Sequence, residues 1–441
     1  MRAILLMLMM AMVGGMSRFA QAQPPAVTVY HEDPAHLWNR VHRALLVRTT
    51  DRDQTFGLDS VDPILWANTK HLLEGESHRA AIDVLHEFIA TDGERLIDDP
   101  VKRAILQRDL WAIFDWTCTR RDAYAAEQRA LRERLAAVMR RVALSPEQIA
   151  TLPGMYAAAV EARRFPVQPE VADPNAPFLP ADLFHEQGPW LYLAVPGEVV
   201  APGHARVFSR SIFEVFLRHP EGREAGIEYL HTVSDFADPY VLPPDPPRGQ
   251  RRVPVLNPGL PQFPVGTQVA LVRRAMLVEA DGKPSPTRLI ESIQLRAYLH
   301  IPGKGEPRRP GDQSFHEFVL TRRGLFEHPS QGLRAIGRDE EDMLFVNLAS
   351  HGIDWIERPP NRPDEVRRLT HPVFASCFHC HSGAGIHSLN SFTRFMGTRT
   401  DRPTMYHTVA AAQETYAVRL KRERYDWGLL EQHWGQLAES R

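Results

Sequence analysis

Ile293-Gln294-Leu295-Arg296-Ala297-Tyr298-Leu299-His300 alternates apolar and polar side chains without a break. A period of two puts Ile293, Leu295, Ala297 and Leu299 on one side of an extended chain and Gln294, Arg296, Tyr298 and His300 on the other, the pattern of a half-buried strand. Upstream, residues 267–279 read as a second strand. Asp281-Gly282 between them is a turn signal, although the loop up to Arg288 is longer than a two-residue hairpin turn. Residues 211–217 and 315–320 are further strand candidates, so residues 166–337 are expected to form a β-rich domain with antiparallel pairing. Within it, residues 242–264 carry Pro243-Pro244-Asp245-Pro246-Pro247, which excludes regular structure and implies a segment that wraps the surface.

On the N-terminal side the spacing changes to that of helices. Ser77 is placed to cap a helix whose inner face is Ile82, Leu85, Phe88 and Ile89, with Gly93 where it would stop. Asp99-Pro100 opens the next helix, with Val101, Ala104, Ile105 and Trp111 among its apolar positions. A third, over residues 122–143, sets Leu131, Leu135, Val138 and Val142 on one stripe, and Ser145-Pro146-Glu147-Gln148 is a reciprocal capping arrangement that starts a short fourth. Residues 23–165 are therefore expected to be a helical domain, with Trp38, Trp66, Trp111 and Trp116 in its core. Cys118 reads as a buried, inert thiol.

The chain has 441 residues, 43% of them apolar and 24% charged, and a net charge of −2. That balance suggests neither a nucleic-acid groove nor an anionic membrane surface. Only five residues are lysine, at positions 70, 102, 283, 304 and 421, so a lysine-ringed docking face is not expected. Residues 1–22 read as a secretory signal: Arg2 starts it, residues 3–13 are uninterruptedly apolar, and Ala20-Gln21-Ala22 offers the cleavage site. The apolar run is shorter than the roughly 20 residues a membrane crossing requires, and no later segment is apolar enough. The expectation is a periplasmic or secreted protein without a transmembrane anchor after cleavage.

From residue 338 the chain turns mixed and then helical. Residues 364–377 can form a helix that Pro372 kinks or restarts, and a final helix over 409–437 carries Tyr416, Val418, Leu420, Trp427, Leu430 and Trp434. Between them lies Cys377-Phe378-His379-Cys380-His381, the spacing of a c-type haem attachment site. Two thiols separated by two residues reach the two vinyl-derived positions along one porphyrin edge, and the next histidine is held beneath the iron as its proximal ligand. Two alternatives stay open at this point. One is a structural zinc site built on Cys377, Cys380 and either His379 or His381; the other is a redox-active dithiol.

This stretch resembles the c-type cytochromes, specifically over residues 377–381 and loosely over 364–437, where a helix, the motif, a polar loop and an apolar helix follow one another. The resemblance implies one haem c joined to Cys377 and Cys380, with His381 on the iron. It also implies a sixth ligand, for which Met405 comes first and Met396 second. His387, His371, His379 and His407 are read as loop or neighbouring side chains, and Gly383-Ala384-Gly385 as a run that lets the backbone pass close to the porphyrin. The acidic run 339–342 reads as a solvated face.

The expected fold is α+β and multidomain, with a helical domain (23–165), a β-rich domain (166–337) and a cytochrome c-like helical haem part (338–441). The expected function is single-electron transfer by an exported monohaem cytochrome to an unidentified redox partner protein. The alternatives are a haem enzyme of peroxidase or oxidase type with an open iron, and a haem-based sensor or binding module.

Overall fold

The quoted stretch closes the longest strand of a seven-stranded antiparallel sheet. A computed structural model of the chain describes residues 27–50, 54–63, 65–119, 122–170, 172–194, 197–238, 240–242, 255–303, 306–307, 309, 311–342, 354, 356–357, 371–381, 383–389, 406–407 and 410–439. Residues 1–22, read above as a signal, Met396, Met405, residues 364–370 and the proline run at 243–247 lie outside the described residues, as do the side chains of His371, His379, Cys380 and His407. In chain order the strands of the sheet are β1 (Trp190–Ala194), β2 (Ser211–Arg218), β3 (Gln268–Val278), β4 (Pro284–Tyr298), β5 (Gln313–Leu320), β6 (Leu333–Ala335) and β7 (Tyr406–His407). Side by side they run β6-β5-β4-β3-β2-β1-β7. β3 and β4 pair from Gln268↔Ala297 to Val278↔Pro284, with register shifts around Arg274. The connection between them is thus shorter than the sequence suggests. Gly282, at φ 88°, supplies the left-handed turn conformation, and the prolines at 284 and 286 are accommodated near the irregular part of the pairing.

The helices are α1 (Leu37–Leu46), α2 (Gly75–Ala90), α3 (Pro100–Thr117), α4 (Ala125–Arg141), α5 (Pro146–Ala150), α6 (Met155–Glu161), α7 (Pro202–Val207), α8 (Arg223–Ser234), α9 (Arg322–Glu327), α10 (Val373–Cys380), α11 (Ala410–Arg422) and α12 (Tyr425–Glu439). Asp99 caps α3 by accepting from the Val101 and Lys102 amides, and Ser145 and Gln148 cap α5 reciprocally. Ser77 is not a cap. α2 starts two residues earlier at Gly75, and the Ser77 hydroxyl instead accepts from the Leu72 amide and donates to the Glu74 carbonyl. The stripe Leu131, Leu135, Val138 and Val142 is fully buried, as are Trp38, Trp66 and Trp111. Cys118 is only half-buried, but its Sγ lies 3.3 Å from the Phe114 carbonyl and burial pushes the thiol up to about 12, as suits an unreactive group. The expected final helix is two helices. The chain breaks at Glu423-Arg424, where Asp426 turns back to pair with Lys421 (2.8 Å) and Arg424 (3.0 Å).

Alternation along the strands divides the apolar side chains between two faces. One face, with Trp190, Tyr192, Phe216, Ala270, Val272, Ile293, Leu295 and Phe318, is covered by α5, α6 and Phe178, Leu179 and Leu183. The other, with Leu191, Leu193, Phe213, Val215, Leu217 and Val269, meets Ala205 of α7, Leu230 and Val233 of α8, and Ile386 and Leu389 from the segment after the cysteine motif. A third core joins α1 to α4 with Trp427, Leu430 and Trp434 of α12, while α11 lies on β2 and β4. The architecture is mixed α+β, and no described helix is long and apolar enough to cross a membrane.

Charged side chains stitch the helical layer to the sheet. Arg108 of α3 contacts Glu291 of β4 and Asp62 (2.7 Å), and Arg273 of β3 contacts Asp62 and Glu291, each at 2.9 Å. Burial works against ionisation of Asp62, yet Arg108 and Arg273 hold its carboxyl well below the usual range.

Candidate functional site

α10 begins immediately after Pro372, with the Val373 amide on the Glu340 carbonyl, and runs three residues past the expected end at Cys377, while His371 and Pro372 form a short strand. Helical spacing sets Val373 and Cys377 in one row and Phe374 and Phe378 in the next. Val373 and Cys377 are buried. Phe374 and Phe378 pack on Phe315 of β5, with centroids 5.3 and 5.9 Å away. Cys380 closes the helix one turn beyond Cys377, and His381 is its C-cap, donating its amide to the Cys377 carbonyl at 3.0 Å.

After the cap the chain doubles back. Gly383 sits where any Cβ would strike the His387 carbonyl, and Gly385 has φ 51° with the Gln262 amide against it. These glycines thus allow the chain to approach itself and Gln262. Gln262 holds the turn by accepting from the Ile386 amide (2.7 Å) and donating to the Ala384 carbonyl (3.3 Å). The result brings the Ser388 carbonyl to 2.9 Å from His381 Nδ1.

Ser388 is pinned in turn by the sheet. Its Oγ donates to the Gly385 carbonyl (2.8 Å) and lies 2.7 Å from the Tyr298 hydroxyl and 3.0 Å from Arg296 Nη1. The single serine proton is spent on Gly385, so Tyr298 and Arg296 are the donors to Oγ. Arg296 and Tyr298 stand on the polar side of the quoted stretch. They are nonetheless 8% and 0% exposed, because the 383–389 turn covers that side. Arg296 also faces the Phe315 ring at 5.5 Å, and among the described residues no carboxylate pairs with it.

A second histidine comes from a different element on the same face of the sheet. His204 of α7 rests on Phe213 (5.4 Å), and its ring lies 6.2 Å from that of His381 with the planes 11° apart. Both rings are half-buried. Burial, aided by the charges of Arg273 and Arg296, lowers His204 to about 4; burial and then Arg296 lower His381 to about 3. Both are neutral at physiological pH, with ring-nitrogen lone pairs available for a metal.

Of the residues singled out from the sequence, the structure therefore places Cys377 and His381 together at the end of α10. His387 is half-buried within the turn. The acidic run is engaged through Glu340, which pairs with Arg334 at 2.7 Å. His204, Arg296, Tyr298, Ser388 and Gln262 were not singled out. Comparison with protein-family models, with curated proteins and with solved structures gives no match for the chain.

Proposed function

We propose that this protein is an exported monohaem c-type cytochrome that transfers single electrons, with haem c joined to Cys377 and Cys380 and His381 as the proximal ligand. The observation that carries the reading is the contact between His381 Nδ1 and the Ser388 carbonyl. A carbonyl can only accept, so Nδ1 bears the proton and Nε2 keeps its lone pair. Fixing the tautomer of a ligating histidine through its other nitrogen is the usual outer-shell arrangement at metal centres.

The remaining residues fit the group. Cys377 is buried in the helix that ends at His381, where its sulfur can form a thioether out of contact with bulk water. Arg296 is a buried guanidinium beside the histidines that has no carboxylate of this chain among the described residues, and it would hold a propionate of the haem. When bound, the haem supplies a one-electron iron couple. The chain positions the imidazole, supplies positive charge that favours the reduced state, and screens the centre with Phe315, Phe374 and Phe378.

The test is an absorption spectrum of protein exported together with a cytochrome c maturation system, recorded oxidised, reduced, and reduced under carbon monoxide. Colour that survives denaturation and extraction, and is lost in Cys377→Ala with Cys380→Ala, is the expected result. Reduced bands unchanged by carbon monoxide identify a carrier. A carbon monoxide shift instead identifies an open iron, as in an enzyme or sensor, and overturns the carrier reading. Protein that never acquires covalent haem overturns the attachment and returns zinc at Cys377 and Cys380.

A further inference from the structure

His204 and His381 are far apart in the chain and belong to different elements, yet their rings are close to parallel and 6.2 Å apart. Carbon surfaces in contact approach to about 3.5–4 Å, so the pair is not a tight face-to-face stack. Packing against Phe213 accounts for one side of the His204 ring. Neither of its nitrogens forms a hydrogen bond to another described residue. A half-buried imidazole aligned with the His381 ring thus has no partner for its polar atoms among the described residues.

We infer that His204 is the second axial ligand, bound on the haem face opposite His381, so that the iron is bis-histidine coordinated; this rests on the haem reading above. Two imidazoles bound end-on to one metal, each nitrogen about 2 Å from it and about 1 Å from its own ring centre, set their centroids about 6 Å apart. The observed separation matches that spacing, and the small interplanar angle is one that two axial imidazoles can adopt. α7 is also held where such a ligand has to be held. Ala201 and Ala205, at either side of His204 in the chain, are buried, and Phe208 just past the helix lies beneath the Arg273 guanidinium at 3.9 Å.

Bis-histidine coordination has consequences distinct from those of a histidine–methionine pair. The iron is saturated, carbon monoxide is excluded, and the reduction potential lies below that of methionine-ligated relatives.

The experiment uses the full-length exported holoprotein. In the wild type, the near-infrared charge-transfer band and the low-temperature electron paramagnetic resonance spectrum are expected to be those of two imidazole ligands, without the thioether signature. His204→Ala and His204→Phe should both keep covalent haem after denaturation, become high-spin and bind carbon monoxide. His204→Phe preserves an aromatic packed on Phe213, so a purely structural histidine would leave its spectrum unchanged. Added imidazole should restore the six-coordinate spectrum of His204→Gly. Should a variant fail to fold, the wild-type spectra alone still decide. A thioether signature, or a His204→Phe protein that stays low-spin and closed to carbon monoxide, overturns the assignment and returns Met405 or Met396 while leaving the haem reading intact. Wild-type protein without covalent haem overturns both.

Discussion

The Ser388 hydroxyl is the joint through which the sheet fixes the His381 imidazole, and its energetic role can be isolated. It donates to Gly385 and receives Tyr298 and Arg296, so its capacity is full. Tyr298→Phe removes one hydrogen bond and leaves Ser388 with two partners, a loss of about 1 kcal/mol. Ser388→Ala is worse because two buried donors remain. The Tyr298 hydroxyl is stranded outright, and Arg296 Nη1 keeps only a 3.4 Å contact to the Ser388 carbonyl. At about 1–3 kcal/mol for each stranded donor, the expected cost is roughly 3 kcal/mol. In the double variant the stranded tyrosine hydroxyl no longer exists. The expected total is then about 2 kcal/mol, where additivity would give about 4, a coupling of roughly 2 kcal/mol. Urea unfolding of the four proteins at pH 7 measures it, provided that the denaturant slopes agree. Coupling under about 0.5 kcal/mol would show that the Tyr298–Ser388–Arg296 joint is not formed, and with it would go the account of how the His381 tautomer is fixed.

Two further expectations concern the scaffold. Arg322 and Asp109 are both wholly buried and 2.7 Å apart, and burial lifts the Asp109 carboxyl to about 6 against the pull of Arg322 and Arg108. Arg322→Met should cost about 3–5 kcal/mol in chemical unfolding by leaving that carboxylate without its closest cation, and adding Asp109→Leu should recover most of the loss; a double variant as unstable as the single one contradicts this. Burial, reinforced by Arg48, lowers His71 to about 3 from its ordinary 6.5. A depressed folded value stabilises above pH 6.5 and loses that contribution as pH falls towards 3, at up to about 1.4 kcal/mol per pH unit. Unfolding free energies from pH 7 to 5 should therefore fall less steeply in His71→Gln than in the parent, and parallel curves would show that His71 is not buried neutral.

How far the sequence could be read depended on the range of the interaction. The strands at 211–217, 267–279 and 315–320 follow from alternation, and the caps at Asp99 and Ser145 follow from side chains acting within one turn. Ser77 failed as a cap because the helix start is set by Gly75, two positions earlier, where backbone conformation outweighs side-chain preference. Cys377 and His381 were legible because the Cys-x-x-Cys-His spacing is a local pattern contained in five consecutive residues. Arg296 and Tyr298 were assigned to the correct side of their strand, but that side was read as solvated. Its coverage by residues 383–389 comes from contacts about 90 positions apart in the chain, which no local pattern records. His204 was invisible for the same reason: Pro202-Gly203-His204 shows only a short helix start, and its relation to His381 exists only once the sheet has formed.

The two histidines reach the site by independent supports, and this bears on how their spacing is kept. His381 is carried by the turn that Gln262, Arg296 and Tyr298 pin to the sheet. His204 is carried by a six-residue helix too short to be stable alone, and its anchor is Phe208 under Arg273. Arg273 is in turn fixed by Asp62, Glu291 and Ser211, and Asp62 and Glu291 also hold Arg108 of the helical layer. The ring-to-ring distance is therefore not set by the loops that bear the rings. It is set by β2, β3 and β4, hydrogen-bonded side by side and buttressed from behind by α3. A site spaced by a sheet exists before any cofactor arrives and needs little rearrangement to receive one, so its binding energy is not consumed in ordering the protein. That arrangement gives the helical layer a role in the site without contributing a side chain to it: its buried charges hold α7, and hence His204, at its observed distance from His381.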